Sequence, residues 1–548
     1  MNRSSTVGPL LGYLLLACWS TWPAPIQLGA AVPGSARTDI WNSLWSLWFF
    51  QYNTRINGLS LHTELISFPR GGELLVADPL NALLAAPLLP FIGVDVTYTL
   101  LVLAQLTFAG VFAHGFAREL LPDAPGAGWI AGTAFATAPV LLSGVHNGTS
   151  ESFAGAWTVL GVWLAWRAAR FGGARRVALA VFGVLLGALA SWYSAVVVFL
   201  FVGAMVLLSP AAGWRDNLSA RLSVFFLGIL AVVPFAALFK WASATPGNLV
   251  AIKTAREMNG IRRSTGPADL LGYFAIGDYR SPDFRVLSRY GEAFFHCHYL
   301  GYVLIIGAIL SLWQARGPQR RFLWLAAGLG FILSLGPVMV KGGMPIILGT
   351  NLVIPMPYFL IEGLPGFNAL TLLFRLALAP ALGAALLAAA GLGRFRYWWI
   401  APLVILIEGR ALCPLGGLPD TVSTHRGGSF YSLRDAPPGA VMNFPVVGGR
   451  GYLYEQTIHG KPVTDSLNFP NNLASKRVWD TILQNLTAPE EILKKRVGAV
   501  AKIEGVRYLV IHEDTEARPD MHDPAARIIE AHYTPLVGGG EARVYPLW

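Results

Sequence analysis

The sequence predicts a mainly α-helical, polytopic membrane protein of about 11 transmembrane helices, with interfacial helices in its outer loops and a small C-terminal α/β domain outside the membrane. Three observations carry this prediction. Of 548 residues, 54% are hydrophobic and only 13% are charged, about half the charged share of an average soluble chain. The apolar residues gather into runs long enough to cross a bilayer, and the mean hydropathy is +0.51. The arginines gather in alternate short connections, while the end of the chain returns to soluble composition. Together these exclude a disordered chain, a collagen-like repeat and an ordinary soluble enzyme.

Apolar spans are expected at 8–28, 94–116, 127–144, 153–168, 177–191, 192–208, 222–241, 298–314, 322–339, 369–391 and 397–412, several of them short for a crossing. Arg3, Arg118, Arg167, Arg170, Arg175, Arg176, Arg215, Arg221, Arg316, Arg320, Arg321, Arg394 and Arg396 then fall on one side. The positive-inside rule makes that side cytoplasmic. The net charge of +10 is mostly this orientation signal, and nucleic acid is not an expected partner. Residues 29–93, 242–297, 340–368 and the tail lie on the other side. An apolar stretch behind Arg3, with Gly34-Ser35-Ala36 beyond it, imitates a signal peptide. The apolar run is longer than a typical signal core, so an uncleaved first span is expected, with the N-terminus cytoplasmic and the C-terminal domain extracytoplasmic. A bacterial inner membrane is the expected location.

The chain divides into a membrane domain, 1–414, and an α/β domain, 415–548. In the latter Val441-Met442-Asn443-Phe444 and Val506-Arg507-Tyr508-Leu509-Val510-Ile511 read as strands, and 472–487, 488–503 and 523–532 as helices. It carries no GxGxxG, Walker A, HExxH or GxSxG signature. Cys18, Cys297 and Cys413 are too few for a disulfide framework or a paired CxxC metal site.

The densest signal lies just beyond the first span, in residues 38–52. Trp41, Trp45, Trp48 and Tyr52 recur at helical spacing and share a face. A Trp-rich helix placed there is expected to lie in the membrane interface. Asp39 opens it. As a structural residue Asp39 is an N-cap; as a chemical one it is a general base at the membrane surface, and a capping carboxylate can be both. Further on, Phe68-Pro69-Arg70-Gly71-Gly72 reads as a turn, and Asp78 before Pro79 caps a short apolar helix over 80–91.

Other candidates follow. The outer turn His146-Asn147-Gly148-Thr149-Ser150-Glu151 faces the side of Asp39. Glu151 suits a helix N-terminus by charge alone; with His146 it is also a site for acceptor hydroxyls or a divalent ion. The loop 242–297 holds Lys253, Arg256, Arg262, Arg263, Arg280, Arg285 and Arg289, either a solvated loop or a basic rim for anionic lipid heads or acceptors. His296-Cys297-His298 is a poor zinc site, because adjacent residues do not converge easily on one ion. Arg375 sits near the outer end of the tenth span, where a cation needs a partner or must snorkel; as a structural residue it snorkels or pairs with Glu362, and as a chemical one it binds a phosphate.

Asp39 with Trp45, Phe68-Pro69-Arg70-Gly71-Gly72 with Asp78-Pro79, and later Tyr358, Leu364-Pro365-Gly366-Phe367-Asn368 and Arg375 resemble, in order and topology, the glycosyltransferase C superfamily of membrane glycosyltransferases. The resemblance covers residues 1–410 and, loosely, the tail. It implies transfer of a sugar from a polyprenyl-phosphate donor to an acceptor hydroxyl on a cell-envelope glycan, lipid or protein. Asp39 would be the catalytic base, Glu151 a second catalytic carboxylate, Arg375 the ligand of the donor phosphate, and Trp41, Asp78, His146 and Tyr358 contacts to acceptor or sugar. One displacement step would invert the anomeric centre. The acidic pair common in the superfamily's first loop is missing beside Asp39, whose neighbours are Thr38 and Ile40; no cofactor is assigned, and a divalent cation is left open. A lipid or polysaccharide transporter and a non-catalytic sugar-binding scaffold are the competing readings. Most spans lack the midplane charges and internal repeats common in transporters.

Overall fold

The structure, a computed structural model, describes residues 4–58, 60–75, 78–209, 217–244, 255–278, 288–290, 294–314, 318–342, 344–349, 352–364, 366–416, 419–444, 451–465, 467, 473–512, 524–536 and 542–548. Arg3, Arg215, Arg316, Lys253, Arg280, Arg285 and Pro365 lie outside the described residues.

Every expected span is helical. The membrane part runs α1 (Ser4–Ser20), α2 (Ile40–Asn57), α3 (Pro79–Ala85), α4 (Leu89–Leu120), α5 (Ala127–Ala136), α6 (Pro139–His146), α7 (Ser150–Phe153), α8 (Gly155–Phe171), α9 (Ala174–Ala190), α10 (Trp192–Leu207), α11 (Leu218–Ala244), α12 (Ala255–Arg262), α13 (Tyr302–Gln314), α14 (Pro318–Ser334), α15 (Leu378–Leu392) and α16 (Ile400–Ala411). Four stretches among the described residues are long and apolar enough to cross a membrane: Leu89–Leu120, Ala127–His146, Leu218–Leu238 and Leu373–Leu392. Val7–Ser20, Trp192–Leu207 and Tyr302–Trp313 are shorter apolar helices, and the remaining expected spans hold the helices α8, α9, α14 and α16. Gly93 leaves helical geometry inside α4 (φ 77°), separating its first turn from the long apolar rod.

Small residues let the helices approach closely. A Cβ on Gly391 of α15 would lie 2.0 Å from the Gly307 carbonyl oxygen of α13, and one on Gly330 of α14 would lie 2.3 Å from the Ala379 Cβ. Backbone-to-backbone contact of this kind is how helices gain packing energy where lipid is as apolar as leucine. Tyr13 of α1 reaches the same layer. Its hydroxyl donates to the Gly128 carbonyl at 3.2 Å and lies 3.1 Å from His114 Nδ1.

Polar groups collect at the two ends of the helices, as the arginine pattern predicts. At one end Arg167 pairs with Glu119 (3.4 Å), Arg394 with Asp123 (3.7 Å), and Asn217 Nδ2 donates to the Arg170 carbonyl (2.9 Å). At the other end Ala31–Pro33 pairs antiparallel with Thr421–Ser423, Asn147 meets Phe295, and Arg375 meets Glu151.

The tail adds α17 (Gly428–Asp435), α18 (Gly451–His459), α19 (Leu473–Leu483), α20 (Glu490–Ile503) and α21 (Pro524–His532) around a three-stranded sheet. Ala440–Phe444 runs parallel to Val506–His512, which runs antiparallel to Ala542–Pro546. Met442, Val478, Leu493, Val497, Leu509 and Ile529 belong to a second, separate core on one face of this sheet. The final strand, α17 and α18 were not anticipated.

The Trp-rich face of α2 divides. Trp45 is fully buried and donates from Nε1 to Gln456 Oε1 on α18 at 2.7 Å. Trp41 packs against Tyr454, with the Arg426 guanidinium 4.6 Å from its ring centroid. α18 thus takes up the first half of the stripe, while Trp48 and Tyr52 stack on each other, ring centroids 4.6 Å apart, and stay half-buried.

Gly391→Val tests the α13–α15 contact. Overpacking at a backbone contact costs about 1–3 kcal/mol, so the thermal unfolding midpoint in detergent should fall by several degrees. An unchanged midpoint would show that the helices do not meet there.

Candidate functional site

Asp39 is the N-cap residue of α2, and a turn from another part of the chain holds it there. Its backbone N–H donates to the Asn147 carbonyl at 3.1 Å, and the Ser35 N–H donates to the His146 carbonyl at 2.9 Å. The Ser43 hydroxyl donates to the Gly148 carbonyl at 2.5 Å. Gly148 has φ +62°, and a Cβ there would lie 2.4 Å from the Ile40 Cα. Only glycine permits both that backbone conformation and that approach. Asn42 Nδ2 donates to Asp39 Oδ1 at 3.2 Å, and the carboxylate is half-buried.

The same turn continues into Glu151 in the first turn of α7. Its carboxylate accepts from Arg375 Nη1 at 2.9 Å, with the two side chains 22% and 12% exposed. Arg375 therefore does not pair with Glu362, which meets Arg262 and Arg263 instead. The reason is local. Arg375 lies in the 3-10 segment Leu373–Ala377 leading into α15, and the Tyr193 hydroxyl accepts the N–H groups of Thr371 and Leu372 just before it. That aims the guanidinium toward the Tyr193 ring, 5.2 Å from its centroid, and toward Glu151. Arg375 Nε is buried without a hydrogen-bond partner among the described residues.

His296 completes the cluster and was not anticipated there. Asn147 fixes it. The Asn147 side chain pairs with the Phe295 backbone in both directions, Nδ2 donating to the carbonyl (2.7 Å) and Oδ1 accepting the N–H (2.9 Å). The amide is thereby oriented, so Nδ2 also points its proton at His296 Nδ1, 3.2 Å away. Nδ1 accepts, and the ring proton belongs on Nε2. Burial, then Arg375, holds the imidazole pKa well below the ordinary histidine value, so it is neutral. Nε2 is buried without a partner among the described residues.

Glu151, Arg375, His296, Tyr193, Asn147 and Thr149 line a cavity of about 20 Å³, room for one water. Asp39 stands beside it across Asn147 and acts electrostatically on Arg375. Its chemistry is that of an anion pocket: a guanidinium and a neutral N–H donor, countered in this state by one carboxylate.

The other expected site residues do not line this cavity. His146 is buried, 3.7 Å from Asp420. Tyr358 is fully buried and donates its hydroxyl to the Phe367 carbonyl. Trp41 faces α18. Arg262 and Arg263, engaged by Glu362, are not an open basic rim. His296 and His298 diverge: His296 stacks on Phe374, while His298 Nε2 meets the Asp269 carbonyl. Among the described residues no three His, Cys, Asp or Glu side chains are arranged to hold a metal ion. Glu151 is engaged by Arg375 in this state.

Asp78 caps α3 as expected, accepting from the Asn81 N–H at 3.1 Å and from Asn81 Nδ2 at 2.6 Å. Burial pushes its pKa up to about 7, against the opposing bonds from Asn81 and Ser150. Unfolded, the group ionises near pH ~3.9. Between the two values the folded protein binds more protons, so stability falls as pH rises from about 4 to about 7 and is level above that. Asp78→Asn should remove this slope from a series of unfolding midpoints against pH. A wild-type and variant profile running parallel would contradict it.

No protein-family model matches the chain, and no curated protein matches it in sequence. Among solved structures, two cryo-EM classes of a mutant arabinofuranosyltransferase AftD from Mycobacteria cover 100% of this chain. Their TM-scores are 0.56 and 0.50, at 14% and 15% identity. The chain spans only 42% and 41% of those proteins' length. The oligosaccharyltransferase AglB from Archaeoglobus fulgidus, solved with an inhibitory peptide and a dolichol-phosphate, aligns over 93% of this chain and 69% of its own, at 12% identity and TM-score 0.48, too distant to bear on the argument. At such identities the likeness shows fold alone: this chain folds as a part of AftD does.

Proposed function

We propose that the chain is a membrane glycosyltransferase. It would move a sugar from a polyprenyl-phosphate donor to an acceptor hydroxyl on a cell-envelope glycan, lipid or protein, at the extracytoplasmic face. The observation that carries this reading is Arg375, held among Glu151, Tyr193 and His296 next to the clamped Asp39.

An alcohol is a weak nucleophile at neutral pH, and a carboxylate within hydrogen-bond reach removes its proton as the new bond forms. Asp39 has that role: its carboxylate is steadied by Asn42 and is half-buried at the start of α2, beside the Arg375 cluster. The bond from the anomeric carbon to the donor oxygen breaks as the acceptor oxygen attacks from the opposite face, which inverts the centre. Negative charge then grows on the departing lipid phosphate. Arg375 supplies a fork of N–H donors matched to phosphate, and His296 Nε2–H supplies another already oriented by Asn147. Donors fixed in advance stabilise such charge without reorganising.

The cavity holds one water, so the donor phosphate enters by displacing Glu151 from Arg375. The carboxylate occupies the place of a phosphate oxygen and spares the cation from being buried alone, which would cost about 3–5 kcal/mol. Once released, Glu151 is a second carboxylate beside the acceptor path. AftD is by name an arabinofuranosyltransferase, and a similar reaction class here agrees with the shared fold.

Two substitutions separate the roles. Asp39→Asn should lower transfer from a radiolabelled polyprenyl-phosphate sugar by about 10²–10⁴-fold while leaving donor binding intact. Arg375→Lys should weaken donor binding about tenfold or more, because the charge remains but the fork is lost. Full transfer by purified Asp39→Asn protein would end the assignment of the base. Movement of the donor across vesicles without transfer would favour a transporter.

A further inference from the structure

Cys297 and Cys413 sit at the same end of the helices as the Arg375 cluster, 116 residues apart in sequence. Their sulfur atoms are 3.9 Å apart, and the residues are 1% and 4% exposed. Cys297 directly follows His296 and precedes α13; Cys413 lies just past the end of α16. The segments are already joined by Glu408 on α16. Its carboxylate accepts from the Tyr299 hydroxyl at 2.7 Å, from the Val303 N–H at 3.1 Å, and from the Tyr302 N–H. The third cysteine, Cys18, is on α1.

We propose that Cys297 and Cys413 form a disulfide in the mature protein, an oxidative modification that staples the entry of α13 to the exit of α16. The inference rests on the reading that this end is extracytoplasmic, where protein disulfides form and persist. The sulfurs, 3.9 Å apart, are about 1.9 Å beyond a disulfide bond length, and Glu408 holds the two backbone segments together. The oxidant is a disulfide donor of the thiol–disulfide exchange class. One cysteine thiolate attacks a donor sulfur, giving a mixed disulfide and one donor thiol. The second thiolate then attacks the sulfur of the first cysteine, closing the bond and releasing the second donor thiol. Two protons and two electrons leave the chain, and the donor disulfide becomes a dithiol. Because both sulfurs are buried in the folded protein, closure belongs to folding, before the helices finish packing.

The bond has a consequence for the site. The residue before Cys297 is His296, whose Nε2 lines the anion cavity. Fixing Cys297 to α16 restricts the strand Phe294–His296 at its downstream end, while Asn147 restricts it at Phe295. Tail residues 414–423 leave from the other half of the staple, leading to the strand Thr421–Ser423 that pairs with Ala31–Pro33.

The test uses the full-length protein in native membranes, with alkylation under denaturing conditions before and after reduction, followed by peptide mass mapping. The expected result is one alkylated cysteine of the three before reduction and three after. A linked peptide pair containing Cys297 and Cys413, two hydrogens lighter than the free thiols, should be present. Cys297→Ser and Cys413→Ser should each leave two alkylatable thiols without reductant; if either fails to accumulate, the wild-type peptide map still decides. A C-terminal reporter active only outside the cytoplasm is read in the same membranes. Three free thiols with an outward C-terminus overturn the disulfide alone. Three free thiols with an inward C-terminus overturn the topology along with it. Linkage of Cys18 to either partner also overturns the pairing.

Discussion

The first turn of α2 rests on the backbone of a turn more than a hundred residues away. Asp39 and Ile40 lie against Asn147 and Gly148 at a separation that a single Cβ would destroy. Everything at the site follows from that contact. Asp39 is held by its own N–H, so its side chain need not anchor the helix. Asn147, pinned on one side by Asp39, grips Phe295 on the other and turns His296 toward Arg375. Glu151 follows three residues after Gly148 and reaches the same guanidinium. Four segments distant in sequence thus meet at one end of the bundle: α2 through main-chain bonds, Phe295 through the Asn147 side chain, and Arg375 through its ion pair with Glu151.

Electrostatics explains why the cluster is closed. A guanidinium this poorly exposed needs a counter-charge, and Glu151 provides it. A phosphate would provide a better one, with more acceptor oxygens for the same fork. The closed pair and the occupied site therefore compete for one cation, which makes Arg375 both a structural residue and a reporter of donor binding. The tail takes part in the scaffold. Gln456 receives the Trp45 indole proton and donates to the Leu65 carbonyl, and Ser67 and Phe68 donate to Asp465 and Val463. The first outer loop is thus built partly on the C-terminal segment.

Helix positions were legible because hydropathy is a one-dimensional signal, and every apolar span became a helix. The Asp78 cap was legible for a similar reason: Asp-Pro-x-Asn carries its partner three residues away. Arg375 could be singled out as a cation near a span end, but its partner could not, because Glu151 and Glu362 are equally plausible by sequence and only the turn at Thr371–Leu372 chooses. His296 was invisible as a donor, since its tautomer is set by Asn147 across 149 residues. The Trp stripe of α2 was legible only in part: a membrane interface and a protein helix both satisfy an amphipathic face, and spacing alone does not reveal that Trp41 and Trp45 meet α18. Trp41 and Tyr358, both aromatic and both near the motifs, are held by core contacts that spacing alone does not reveal. The proximity of Cys297 and Cys413 is likewise a tertiary fact, beyond any count of cysteines.

The most direct measurement is an experimental map of the protein with a non-transferable polyprenyl-phosphate sugar analogue bound. The account predicts the phosphate within hydrogen-bond distance of Arg375 and His296 Nε2, Glu151 displaced, and the anomeric carbon on the side of Asp39. A headgroup seated elsewhere, with the Glu151–Arg375 pair intact, would contradict it.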